Sequence, residues 1–239
     1  MSSIYHTFFF DPLYNSLIFL FQIFPWADAG IVVVMLTILV RLILYPLSRK
    51  AVLTQMRMAE IAPELNAIKE KYKSNSEEQA RRTLTLYREK GVNPFSGILV
   101  IIIQIPIILA LYQIFINLPE INGNLLYSFI KAPEIIRTTF LGFIDVGGKS
   151  ALLAVLAGVS TYFQIKVSTQ GQGVPKGNSF GDNLAKSMQT QMKYVFPAIM
   201  LLIAYQVSGA IALYFLTTNL FSIGQELFIK RKRPHPTLS

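Results

Sequence analysis

Apolar residues in this chain fall in long blocks rather than alternating or recurring in short stripes. The first block is Ala29 to Leu47, broken only by Thr37 and Arg41; the second runs from Phe95 to Ile116, and the third covers roughly Ser150 to Ile165. The last, Tyr194 to Ile229, is too long for one bilayer crossing and breaks at Ser208-Gly209. About 20 apolar residues suffice for a helix to cross a hydrocarbon core. Five spans are therefore expected, at 28–47, 95–116, 150–166, 194–208 and 209–229. The chain reads as an all-α polytopic membrane protein.

The segments between the blocks carry patterns of their own. Residues 1–27 hold a shorter apolar stretch, Leu13 to Phe24, opened by Asp11-Pro12 and expected at the interface on the outer side. Residues 48–94 show helical spacing of Leu53, Met56, Ile61, Leu65, Ile68 and Tyr72, with Pro63 placed to restart the helix. Ser76 and Gln79 fit a capping box for a second helix, supported by Glu77/Arg81 and Glu78/Arg82. Two amphipathic helices in sequence predict a hairpin after the first span. Met56 and Met58 either pack inside it or, beside Arg57, offer an adaptable surface. In the segment 117–149, "LLYSFI" and "EIIRTTFLGFI" read as short interfacial helices. Residues 167–193 include a Gly/Ser/Gln-rich loop whose Gly171-x-Gly173 follows no strand and so is no nucleotide site.

Composition agrees with the blocks: 239 residues are 52% hydrophobic and 15% charged, with mean hydropathy +0.45. The net charge of +9 changes the picture only through its distribution. Ten basic residues lie between the first two spans, more flank 167–193, and Lys230 to Arg233 begin the basic tail 230–239. The segment 117–149 has few. Basic residues near span ends stay cytoplasmic, so the N-terminus is expected outside and the C-terminus inside. The charge is an orientation signal, with no specific nucleic acid implied.

Candidate chemistry is sparse. There is no cysteine, and the two histidines, His6 and His235, lie near opposite ends. No metal or catalytic motif is present, so neither an enzyme nor a cofactor is indicated. What remains is a polar seam. Thr37, Arg41 and Tyr45 share one face of the first span; Gln104 and Gln164 stand in the second and third. Thr218, Ser222 and Gln225 follow in the fifth, beside Thr217 and Asn219. Polar side chains often glue membrane helices together, a reading that suits Gln104 and Asn219 at least as well as function. Arg41 is different, because no intramembrane acid stands near to pair with it. Glu226, an acid near the inner end of the last span, is expected at the headgroups. An unpaired intramembrane cation marks a functional site by default.

Several segments resemble the YidC/Oxa1/Alb3 family of membrane protein insertases: "VRLILYPL" (40–47), "MAEIAPELNAIKEKY" (58–72), "LYREKGVNPFSG" (86–97), "IQIPIILALYQIF" (103–115) and "SGAIALYFLTTNLFSIGQ" (208–225). The resemblance covers about Pro25 to Ile229. It implies five transmembrane helices around a hydrophilic groove, with a cytoplasmic two-helix hairpin after the first span. The implied groove set is Arg41, Thr37, Gln104, Gln164, Tyr214, Phe215 and Thr218, and the implied capture surface is Met56, Met58 and Arg57. Phe215 stands where the family has Trp or Tyr, keeping the aromatic ring but not the polar tip. The extra N-terminal span, periplasmic domain, lipoprotein cysteine and long ribosome-binding tail of various members are not expected here. Nascent membrane proteins and the bilayer are the implied partners in a bacterial cytoplasmic membrane. Ribosome, signal recognition particle receptor and Sec translocon are further candidates. A small channel or solute transporter using the same seam is the alternative, and a structural assembly factor a third reading; a transporter would more often show paired charges, broken helices or repeats.

Overall fold

The computed structural model describes residues 2–93, 95–118, 121–170 and 186–232. A short helix α1 (Ser2–Tyr5) passes through a π-helical turn into α2 (Asp11–Ile23), whose first turn Pro12 suits because its missing N–H is not needed there. Asp28 caps α3 (Ala29–Ile43) by accepting from the Ile31 N–H at 2.9 Å. The apolar run Ala29–Leu47 does not continue as one straight helix. It breaks at Leu44, and α4 (Tyr45–Glu60) leaves at 64°. Pro46 explains the break, since its ring would clash with the carbonyl four residues earlier. The same device recurs at Ile61, where Pro63 sits in the first turn of α5 (Ala62–Lys71).

Helix α6 (Ser76–Glu89) turns back on α5 around buried Ile61, Leu86 and Val92, with Met58, Leu65, Ile68 and Tyr87 packed against them. Lys90 Nζ donates to Glu64 Oε1 at 2.6 Å, tying the end of α6 to the start of α5 in an antiparallel pair. Two details differ from the sequence expectation. The cap is Asn75, which accepts from the Glu78 N–H, rather than a Ser76 box; Asn is as good a cap and stands one residue earlier. Glu78 alone takes both arginines, Arg81 and Arg82, at 2.8 Å each. Those two guanidiniums hold its carboxyl down at about 2.

The remaining helices are α7 (Ser96–Ile116, with Pro106 inside), α8 (Ala151–Ser168), α9 (Phe196–Gln206) and α10 (Gly209–Lys232). Helix α8 packs on both α9 and α10, and α3 on α10. Small buried residues allow the close approach: Ala154 and Ala157 on α8, Ala210 and Ala212 on α10. The segment expected as loop at 167–193 is helical at both ends, with α8 reaching Ser168 and residues 186–190 leading through the π-helical turn Gln191–Val195 into α9. Its Gly171-x-Gly173 lies outside the described residues.

The segment expected as interfacial helices, 117–149, is instead a clamp of extended chain. It holds one 3-10 turn (Gly123–Leu125) and a two-stranded hairpin, β1 (Thr139–Phe140) with β2 (Ile144–Asp145). Pro133, the β-branched run Ile135, Ile136, Thr138, Thr139, and a turn with Leu141 and Gly142 at positive φ disfavour a helix there. The clamp is firmly attached. Asn15, 1% exposed, donates to the Leu125 carbonyl and accepts from the Tyr127 N–H. Asp28 Oδ2 accepts from the Leu141 N–H, and the first N–H groups of α10, on Gly209 and Ala210, donate to the Gly148 and Val146 carbonyls. Helix α2 is likewise firmly packed, with Leu17, Ile18 and Phe21 buried in the main core.

Among the described residues, Ala151–Ser168 is long and apolar enough to cross a membrane alone, and α3 with α4 would be a second span if the bent pair is one. The outward faces tell the same story. Ile102, Ile105, Leu109, Tyr112 and Ile116 on α7 and Leu152, Val155, Val159 and Phe163 on α8 are exposed rows at helical spacing. Apolar rows on that scale suit hydrocarbon, not water.

Candidate functional site

Arg41 occupies the last turn of α3, just before the Leu44 break, and is half-buried. Among the described residues its guanidinium makes no ion pair and no hydrogen bond. The phenol of Tyr214, buried on α10, is its electrostatic neighbour. Gln104 Nε2 on α7 donates to that phenol oxygen at 2.6 Å. One turn along α10, the Thr218 hydroxyl is buried, near Tyr214 but without hydrogen-bond geometry to any partner. Phe215 is half-buried with its ring 5.4 Å from Tyr214's, edge to face. Four of the candidate groove residues, Arg41, Gln104, Tyr214 and Thr218, thus share one locality fed by three helices.

Other members of the seam stand elsewhere. Thr37 is fully buried and donates to the Val33 carbonyl at 2.6 Å, so its hydroxyl is spent on its own helix. Gln164 is half-buried on α8 and has no hydrogen-bond partner among the described residues. Asn219 is a clasp between α10 and α8: its Nδ2 donates to Ser160 Oγ at 3.0 Å and Thr161 Oγ1 at 2.8 Å. Gln225 donates to Ser48 Oγ at 2.7 Å, joining α10 to the start of α4. Of the hairpin candidates, Met58 packs against the hairpin cluster, Met56 is half-buried outside it, and Arg57 is exposed.

Glu226 is buried against its neighbours. Its side chain is 5% exposed and bridges Lys230 at 3.0 Å, while Lys230 Nζ also donates to the Val167 carbonyl at the end of α8. The i,i+4 spacing of Glu226 and Lys230 was a usable signal for the pair. Its burial depends on Val167, 63 residues away, which no local pattern announces. Gln55 on α4, donating to the Ser168 carbonyl, is a further tie that the sequence did not suggest.

The locality around Arg41 can therefore do one thing chemically: offer unspent N–H and O–H donors, with a net positive charge, inside an apolar helical bundle. No three acids, histidines or cysteines among the described residues are grouped to hold a metal.

A helical membrane protein with a partly buried, unpaired cation at the junction of three helices is the class that these features define. The chain belongs to the 60Kd inner membrane protein family, whose profile matches residues 19–236. Among curated relatives, "Membrane protein insertase YidC" of Clostridium perfringens is 34% identical over 199 residues, covering 83% of this chain and 77% of the relative. The protein of that name from Oceanobacillus iheyensis is 31% identical over 207 residues, 84% of this chain and 74% of the relative. The match to Chloroherpeton thalassium is 28% identical over 204 residues and spans only 33% of that longer relative. The relatives' names describe an insertase, not an enzyme, and the family name puts its members in the inner membrane.

Proposed function

We propose that this chain is a membrane protein insertase and chaperone. It moves short outer segments of nascent membrane proteins through a groove centred on Arg41, and releases their helices into the bilayer. The observation that carries this is Arg41 itself, half-buried and, among the described residues, without a hydrogen-bond or ion-pair partner, beside the Gln104–Tyr214 pair and the Thr218 hydroxyl. An ionised carboxylate at mid-bilayer depth costs roughly 2.5 to 3.5 kcal/mol. A cation about 4 Å away, at an effective dielectric of about 20, offers roughly 4 kcal/mol before desolvation. The two terms are comparable, so entry of an acidic tail becomes nearly neutral, and the membrane potential adds about 2.3 kcal/mol per charge per 100 mV towards release.

In this proposal the spans are α3 with its continuation to Leu47, then α7, α8, α9 and α10, with the N-terminus outside and residues 48–94, the rest of α4 with α5 and α6, as the cytoplasmic hairpin. The clamp at 121–149, fixed to α2, α3 and α10, closes the outer side of the groove. Gln164 and Phe215 line its wall, and Thr37 supports Arg41's helix from the core. The hairpin, with Met56 and Arg57 outside its cluster, is the first contact for a nascent chain, and Met58 holds it together. Ribosome, signal recognition particle receptor and Sec translocon remain partners to be tested at that hairpin.

The test is reconstitution in liposomes with a single-span substrate carrying an acidic outer tail, scored by protease protection. Arg41→Ala is expected to lower insertion at least tenfold and Arg41→Lys to keep most of it. Normal insertion by Arg41→Ala removes the electrostatic role. Ion or solute flux through the wild type without insertion favours a channel.

A further inference from the structure

At the end of the bundle opposite the hairpin, a cavity of about 510 Å³ lies between the end of α2, the α2–α3 turn and residues 131–137. That volume is within the range of small-molecule sites, about 300–1,000 Å³. Three charged side chains line it: Lys131, Arg137 and Glu134. Arg137 Nη2 donates weakly to the Pro25 and Trp26 carbonyls, at 3.3 Å each, leaving the other guanidinium donors unspent. Lys131 is held by its backbone N–H on Gln22 Oε1, while its ammonium makes no hydrogen bond or ion pair among the described residues. Glu134 is likewise unpaired, so the cavity carries one net positive charge.

Of the lining side chains Ile135 is 80% exposed, and exposed rings flank the lining in sequence: Trp26, between the lining residues Pro25 and Ala27, is 64% exposed, and Phe129, two residues before Lys131, is 65% exposed and meets Phe19 edge to face at 6.4 Å. Phe19 and Ile23 continue this exposed surface along α2. An inorganic anion needs no such rim, and an acidic peptide needs no exposed tryptophan. Rings at headgroup level around a basic pocket are the chemistry that phospholipid recognition uses.

The geometry points to this cavity as a binding site for the headgroup of an anionic phospholipid. Its phosphate meets the Lys131 ammonium and the free edge of Arg137, and its acyl chains run along Phe19 and Ile23. Glu134 is the acceptor in the same cavity, which suits a headgroup bearing hydroxyls. Phosphatidylglycerol is therefore the probe. The site is independent of the groove and of the insertase assignment.

Trp26 is the chain's one tryptophan, so its fluorescence reports on this rim alone. The full chain is reconstituted in phosphatidylcholine vesicles containing a small fraction of brominated phosphatidylglycerol or, separately, brominated phosphatidylcholine. Quenching of Trp26 is expected to show about a fivefold preference for phosphatidylglycerol, the size that one net charge gives at a lipid surface. Lys131→Gln is expected to abolish the preference and Glu134→Gln to increase it, opposite effects that general damage would not produce. Equal quenching by the two lipids in the wild type overturns the site, as does a preference that survives Lys131→Gln. Loss of the preference on adding millimolar inorganic phosphate, at constant ionic strength, overturns the lipid assignment in favour of a soluble anion.

Discussion

Lys230→Met is the substitution with the clearest energetic consequence away from Arg41. In the native bundle Glu226 (side chain 5% exposed) and Lys230 (22%) form a pair at 3.0 Å, and Lys230 also satisfies the Val167 carbonyl at the end of α8. Removing the lysine leaves a buried carboxylate without its counter-charge and a helix-end carbonyl without its donor. Breaking a buried pair this way costs about 3–5 kcal/mol. The partial exposure of Lys230 argues for the lower end, roughly 3 kcal/mol after screening. Glu226→Gln is milder, because the amide oxygen still accepts from Lys230, and Lys230 keeps Val167 and some solvent; about 1 kcal/mol is expected. The double variant removes the orphaned charge and is expected to be more stable than Lys230→Met alone. Unfolding of the purified protein in mixed micelles, followed by circular dichroism, gives all three. If Lys230→Met costs no more than Glu226→Gln, the pair is solvated and the burial argument fails.

Asn219→Ala, which opens the clasp to Ser160 and Thr161, is expected to cost about 1 kcal/mol in the same unfolding assay, typical of interhelical hydrogen bonds in membranes. At Gly30 an added Cβ would come within 2.3 Å of the Phe140 ring. Gly30→Ala should therefore displace β1 at a cost of roughly 1–3 kcal/mol and speed hydrogen exchange at Phe140 and Leu141. Glu78, held at about 2 by Arg81 and Arg82, is a carboxylate with a depressed folded-state pKa. Its contribution to α6 is thus full above the unfolded value near 4.5 and lost as pH falls through about 2; carboxyl NMR titration should find its midpoint well below 4.5.

The parts of the fold that were legible in the sequence are those set by local pattern. Helix α7, Ser96–Ile116, nearly coincides with its apolar run, and the α9–α10 break falls at Val207–Ser208, one residue before the Ser208-Gly209 that the sequence marked. The bend at Leu44 was hidden because hydropathy records where a chain is greasy, not where it turns; Pro46 carried that signal. The clamp was misread for a related reason. Apolar residues between 125 and 144 suggest amphipathic helices by composition, yet Pro133, the β-branched run and the Leu141-Gly142 turn decide the backbone. Contacts such as Gln104 with Tyr214, 110 residues apart, leave no local trace. Neither does the Lys131–Arg137 cavity, whose other wall comes from α2.

Arg41 was singled out because acids near the spans can be counted in a sequence, and the geometry gives that count a sharper meaning. Polar groups in a membrane bundle can serve packing or function, and the distinction lies in whether their hydrogen-bonding capacity is spent. Asn219, Gln225 and Glu226 are spent on neighbouring helices or, for Glu226, on Lys230. Thr37 is spent on its own backbone. Among the described residues Arg41 makes no hydrogen bond and Thr218 Oγ1 has no partner in hydrogen-bond geometry, and both neighbour a phenol that accepts from Gln104. If Arg41 served packing alone, closing its donors on an internal acceptor would recover part of a cost of roughly 2.5 to 3.5 kcal/mol. Glu226, on α10, is committed to Lys230 instead. An open cation beside an open hydroxyl is an arrangement that stability does not favour, so the acceptor that completes it is expected to come from outside the chain.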